Sequence, residues 1–291
     1  MKNLILVTGG AGFIGSNLIK ILLKKNKFKI ISLDNYSSGT KKNHIKNRRV
    51  KYIRGENLHI DTILKKYEKK IKVIFHFGEF SRIYQSFLQH QKCFRYNING
   101  SFKVISFATR NKTKLIYSAT SAALGNKGED ENLSPYAWSK SKNIELIKNF
   151  SQWFGLKYEL VYFFNVYGPG QILKTNMSAV IGIFETQYKN KKPLTVVKPG
   201  TQKRDFTHVN DIVNGCYLAW KRGRQSEYML GTNKQYSIIQ IAKMFKSKIK
   251  FLKSRKGERF KSFIPNNNAK KFLNFKSTID IKDYIKEFLS K

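Results

Sequence analysis

The chain has 291 residues, 41% hydrophobic and 14% aromatic, enough apolar material for a buried core and too much for a disordered protein. Lys and Arg number 56 against 18 Asp and Glu, a formal charge of +38, but they are scattered along the whole length with no segregated basic tail, which argues for composition over nucleic-acid binding. No run approaches the ~18 apolar residues of a membrane span, and the two cysteines (Cys93, Cys216) and five histidines lack disulfide or metal-ligand spacing, so the expectation is a cytoplasmic protein holding no metal.

The apolar run Leu4-Ile5-Leu6-Val7 predicts a strand, and it leads into Thr8-Gly9-Gly10-Ala11-Gly12-Phe13-Ile14-Gly15. Residues 13–25 then place Ile14, Leu18, Ile19, Leu22 and Leu23 at helical spacing. Strand, glycine turn and helix set a pyrophosphate on the helix N-terminus, where unpaired N–H groups and the positive dipole end favour an anion. Gly9, Gly12 and Gly15 let the backbone approach it. A second strand over 29–33 ends at Asp34, ~20 residues after the glycines, where a dinucleotide fold sets an acid against the adenosine ribose. Such an acid would repel an extra phosphate, so the pattern favours NAD over NADP. The polar turn that follows, with Asn35, Ser38 and Gly39, can wrap the adenosine end.

A third strand over 50–53 precedes Gly55-Glu56-Asn57, placed to meet the adenine edge. The fourth, 71–77, runs into His76-Phe77-Gly78-Glu79 and should face the cofactor, because ligands sit at the carboxyl ends of parallel strands. Glu79 there could touch substrate or be a supporting acid. Residues 87–108 read as one long helix with Asn97 and Gly100 in its middle. A fifth strand, 114–117, leads to Thr120, and Pro135 begins a helix to about residue 154 that carries Tyr136 and Lys140 on one face. A phenol titrates near ~10 and serves as a base at neutral pH only where a cation favours the phenolate. Lys140 can supply that charge, and so can an oxidised nicotinamide.

With a sixth strand over 157–163, the alternation predicts an α/β fold built on a doubly wound parallel Rossmann sheet. Beyond residue 165 the alternation lapses. A helix over 177–188, a strand over 194–197 and a final helix over 279–289 suggest a smaller α+β lobe. The expected division is an NAD-binding unit over 1–165, to which 201–221 returns, and a substrate-binding lobe over 166–291.

The assembled motifs resemble the short-chain dehydrogenase/reductase superfamily in its extended branch of nucleotide-sugar epimerases and dehydratases, UDP-glucose 4-epimerase-like members above all. They are T-G-G-A-G-F-I-G from Thr8, L-D-N from Leu33, N-I-N-G from Asn97, S-P-Y-A-W-S-K from Ser134, F-F-N-V-Y-G-P-G from Phe163 and G-T-Q-K-R-D-F-T-H-V-N-D from Gly200. The resemblance implies that Tyr136 removes the proton of a sugar 4-hydroxyl as hydride passes to NAD, that Lys140 lowers the Tyr136 pKa and holds the nicotinamide ribose, and that Thr120 hydrogen-bonds the same hydroxyl. Phe77, Gly78, Asn97 and Phe163 are implied as cofactor contacts. Arg82 and Asn165 would meet the substrate, Arg204 and Arg255 would grip its pyrophosphate, and Ser262 matches a position whose size sets tolerance for a 2-acetamido group.

A 4,6-dehydratase of this branch needs an acid pair directly after the Thr; Ser121 and Ala122 stand there instead. Epimerisation needs no such pair. The implied function is an NAD-dependent 4-epimerase of a UDP-linked hexose or N-acetylhexosamine, working as a homodimer through the helices near 87–108 and after Tyr136. A 4-ketoreductase and a non-enzymatic basic Rossmann binding protein are the competing readings. The chain departs from the family at Gly78-Glu79, where Ala-Ala is common, at Leu124 in place of Tyr, and at Tyr162 in place of Arg.

Overall fold

Glycine, proline and polar caps fix the boundaries of the first half. In the computed structural model, which describes residues 3–124, 132–173, 177–257, 259–260 and 264–291, the wholly buried strand β1 (Leu4–Thr8) turns at Gly9 into helix α1 (Phe13–Lys25). Strand β2 (Lys29–Asp34) follows, then β3 (Val50–Arg54), the short helix α2 (Ile60–Leu64) and β4 (Ile71–His76). Gly9 has φ +68, and a Cβ there would sit 2.8 Å from the backbone of Phe77 and Gly78, so the loops after β1 and β4 can touch only because this residue is glycine.

The single long helix expected over 87–108 is broken. The structure has α3 (Ile83–Leu88), α4 (His90–Phe94), a π-helical turn over Arg95–Gly100, and α5 (Ser101–Arg110). Gln89, with φ −129 and ψ 44, separates the first two. In the π turn the wider spacing lets Asn97 point inward and bind the Phe80 backbone, accepting from its N–H at 2.7 Å and donating to its carbonyl at 3.1 Å. A long-range bond of this kind overrides the local helical pattern.

Strand β5 (Lys114–Thr120) precedes α6 (Pro135–Phe154). Ser134 accepts from the Ala137 N–H, Pro135 opens the helix, and Gly155 at φ +68 ends it, so all three punctuation signals lie where the sequence places them. After β6 (Tyr158–Phe163), the chain forms β7 (Asn165–Tyr167), α7 (Val180–Lys189), β8 (Leu194–Val197) and β9 (Lys203–His208). Helix α8 (Val209–Arg222), β10 (Glu227–Leu230), β11 (Gln235–Ser237), α9 (Ile238–Met244), β12 (Ile249–Leu252), α10 (Asn268–Leu273) and α11 (Ile281–Leu289) complete it.

The main sheet is parallel, in the order β3-β2-β1-β4-β5-β6-β10. Its order reverses between β1 and β4, the crevice where α/β folds take ligands. One face is covered by α2, α5 and α6, the other by α1, α8 and α10, each with its own apolar layer. The return to the large unit therefore runs past the expected 201–221: β10 adds an edge strand, and Leu273 and Phe275 join the layer under α1. The smaller lobe packs α7, α9 and α11 on β8 and β9 around Phe184, Phe206 and Phe245. Asp205, 1% exposed, accepts from Thr232 and Asn233 and ties β9 to the turn before β11. No helix among the described residues is long and apolar enough to cross a membrane.

Candidate active site

A cavity of ≈ 480 Å³ opens along the carboxyl ends of β1, β2, β4 and β5 and is closed from the other side by the smaller lobe. Its dinucleotide end is lined by Gly9, Gly12, Phe13, Ile14, Gly15, Asp34, Asn35, Ser38, Glu56, Asn57, Phe77, Gly78 and Phe163, all expected there. Asp34 accepts from the Ala11 N–H at 2.9 Å and the Tyr36 N–H at 2.8 Å, so its carboxylate is aimed at the edge of the glycine turn. Burial raises its pKa, and those two N–H groups oppose the rise. The bare backbone at the head of α1 and this fixed carboxylate fit an adenine dinucleotide. Two expected contacts are corrected. Gly39 lies behind Asp34, where a Cβ would stand 3.0 Å from both carboxylate oxygens, and is not part of the wall. Asn97, fully buried, also lies outside the wall because its amide is spent on Phe80 and Ser139.

At the other end Thr120, Tyr136 and Lys140 line the cavity together. Burial dominates at Tyr136 and, with Glu79 adding to it and the Thr120 side chain opposing it, pushes the phenol up to about 12. Here the structure favours the second of the two roles open to Glu79, that of a supporting acid. Glu79 does line the cavity, yet it is an ion-pair partner of Lys140, with both side chains 3% exposed. Lys140 correspondingly pairs with Glu79, and the foremost influences on the Tyr136 phenol are burial, Thr120 and Glu79. The reason is that Glu79 places a buried carboxylate on the loop after β4, within reach of the lysine.

Glu79 is anchored on several sides. It accepts from Ser101 Oγ at 2.8 Å, Tyr117 OH at 2.9 Å and Asn143 Nδ2 at 3.1 Å. Burial alone would raise its pKa; the Lys140 charge and the hydrogen bonds from Lys140 and Ser101 bring it below the usual carboxylate value. The Tyr117 ring lies 4.2 Å from the Lys140 ammonium. The chain of bonds continues to the dinucleotide loop. Thr8 Oγ1 accepts from the Phe77 and Gly78 N–H groups and so donates to His76 Nδ1 at 2.7 Å, while His76 Nε2–H donates to Ser101 Oγ at 2.9 Å. Burial pushes His76 down to about 4, in keeping with this neutral tautomer.

The substrate side contains Arg82, Asn165, Arg204 and Arg255 as expected. Arg82 Nε donates to the Met177 carbonyl at 2.6 Å, Arg204 Nη1 to the Lys203 carbonyl at 2.9 Å, and Arg255 stacks 5.0 Å from the Tyr84 ring. Ser262 lies outside the described residues. Arg259 is a cavity residue that the motifs did not single out. It is 4% exposed and donates to both the carbonyl and the hydroxyl of Ser121, the residue after Thr120. Its only sequence cue is a position four residues beyond Arg255.

Comparison with known proteins agrees with this geometry. Residues 5–231 match the NAD dependent epimerase/dehydratase family. A Methanocaldococcus jannaschii protein provisionally named UDP-glucose 4-epimerase is 28% identical over 99% of this chain and 97% of its own. The UDP-glucuronic acid 4-epimerase of Bacillus cereus, solved with UDP-glucuronic acid and NAD, is 28% identical with a TM-score of 0.89, covering 99% of both chains. The UDP-N-acetylglucosamine 4-epimerase of Methanobrevibacter ruminantium is 27% identical with a TM-score of 0.89, covering 100% of this chain and 98% of the other.

Proposed function

Because the chain belongs to the NAD dependent epimerase/dehydratase family, we propose that it is a nucleotide-sugar 4-epimerase that oxidises and re-reduces a UDP-linked sugar at C4. The observation that carries this reading is the convergence of Thr120 and Tyr136 in one cavity, together with Ser121 and Ala122 where a dehydratase would need acids.

NAD, when bound, supplies the hydride acceptor and, after turnover of the sugar, the hydride donor. The chain's own residues do the rest. Gly9, Gly12 and Gly15 leave room for the pyrophosphate, and Asp34 is set to take the adenosine ribose hydroxyls. Arg204 and Arg255 hold the substrate's phosphates from the smaller lobe. Thr120 orients the 4-hydroxyl, and Tyr136 takes its proton as the C4–H bond breaks. When the 4-keto sugar has turned over in the cavity, Tyr136 returns the proton to O4 as C4 regains hydride on its other face. With Lys140 paired to Glu79, NAD in its oxidised form would add positive charge that favours the phenolate of Tyr136. The test is incubation with UDP-, dTDP- and GDP-sugars: the sugar interconverts with no net change in nicotinamide absorbance, whereas a ketoreductase consumes NAD(P)H in step with product.

We also infer a homodimer. Phe102 on α5 and Trp153 and Phe154 on α6 are exposed (43%, 61% and 60%) and cluster around Phe150, an apolar patch of the kind that marks an interface. Sedimentation gives the mass directly. A cytoplasmic setting is in keeping with Cys93 and Cys216 both being free, buried thiols.

A further inference from the structure

The reacting end of the cavity carries more positive charge than a neutral sugar needs. Arg82 and Arg259 both line it; Arg82 lies in the field of the Tyr136 phenol, and Arg259 in that of Arg204 first and of Tyr136 next. Arg259 is 4% exposed, and its hydrogen bonds go to neutral acceptors, the carbonyl and hydroxyl of Ser121. Arg82 likewise donates to the carbonyls of Ser81 and Met177. Among the described residues no carboxylate pairs with either. Glu79, the buried acid in this region, is committed to Lys140. Burying a guanidinium with only neutral partners is costly unless an anion arrives to meet it.

The position of Arg259 says which part of the substrate would bring that anion. It is fastened to Ser121, next to Thr120, and Thr120 with Tyr136 marks where C4 of the sugar must lie. In a hexopyranose C4 is flanked by C3 and by C5, which bears C6, and of the substituents next to C4 the one at C6 is the one that carries an anion, in a hexuronic acid. Arg255 and Arg204 already serve the pyrophosphate in the reading above. A planar guanidinium with free N–H edges matches a carboxylate in two parallel bonds.

We propose that Arg259, assisted by Arg82, forms a carboxylate subsite that selects nucleotide-linked hexuronic acids over neutral hexoses. The proposal rests on the 4-epimerase reading for the placement of C4, but its binding test does not depend on turnover.

The experiment compares UDP-glucuronate with UDP-glucose on the NAD-loaded protein, its Arg259→Gln variant, which keeps a donor for Ser121, and Arg259→Lys. In the parent, kcat/KM favours UDP-glucuronate, and Arg259→Gln lowers the uronate-to-glucose ratio by roughly 100-fold, the loss expected when one partner of a buried charge pair is removed. Arg259→Lys restores part of that ratio. The same discrimination is read as dissociation constants by calorimetry in the Tyr136→Phe background. Equal losses on both sugars would assign Arg259 to the pyrophosphate or to folding and overturn the proposal, as would a parent that turns over or binds both equally. Arg259-dependent discrimination in binding without interconversion of any sugar would uphold the subsite and sink the epimerase reading instead.

Discussion

The Lys140 ammonium is ion-paired with the Glu79 carboxylate across 61 residues of sequence, both side chains buried, with Ser101, Tyr117 and Asn143 donating to the same carboxylate. The lysine of α6 is therefore a positioned, ion-paired cation. Glu79 also opposes ionisation of Tyr136.

Replacing Glu79 by Gln removes that negative charge while keeping an acceptor for Lys140. The freed lysine charge then stabilises the phenolate, and the rising limb of the pH–activity profile moves to lower pH by about one unit, equivalent to ~1.4 kcal/mol. A pH profile of kcat/KM with bound NAD checks this. A merely structural Glu79 would change the height of the profile without moving its midpoint.

Lys140→Met leaves Glu79 buried and uncompensated. Breaking such a pair from one side costs about 3–5 kcal/mol, so Lys140→Met should unfold at markedly lower denaturant, and adding Glu79→Gln should recover much of the loss. A double-mutant cycle by urea unfolding measures the coupling directly.

His76 predicts a pH-dependent stability. Its folded pKa is about 4 against an ordinary 6.5, so the unfolded chain binds the extra proton first. The contribution is complete above pH 6.5, is lost progressively as pH falls toward 4, and amounts to about 3 kcal/mol. His76→Asn, which keeps an acceptor for Thr8 and does not titrate in this range, should flatten the pH dependence of thermal stability across that window.

Asp34→Ala should weaken NAD by roughly 10- to 100-fold, the loss of charged hydrogen bonds worth about 1.5–3 kcal/mol, and should narrow the preference over NADP. Calorimetric titration of both dinucleotides tests it.

Where the fold is written locally, the sequence is legible. α1 and α6 begin and end at the expected residues because Gly12, Ser134, Pro135 and Gly155 act on their immediate neighbours. The breaks in the 83–110 region are not legible in this way, since Asn97 bends the helix to reach Phe80. The same holds at the site. The glycine turn and Asp34 follow from spacing, and Tyr136 and Lys140 from the surrounding motifs, but Glu79 acquires its role from Lys140 and Arg259 from Ser121, partners 61 and 138 residues away. β10 escaped notice because a four-residue edge strand carries little periodicity.

The most direct measurement is the fate of C4 itself: NMR of UDP-sugars incubated with the NAD-loaded enzyme, beside Tyr136→Phe with the same NAD content. The account predicts C4 epimers at constant nicotinamide absorbance from the parent, and a loss of at least ~100-fold in the variant. Epimer formation undiminished in Tyr136→Phe, or sugar turnover only with stoichiometric consumption of NAD(P)H, would contradict it.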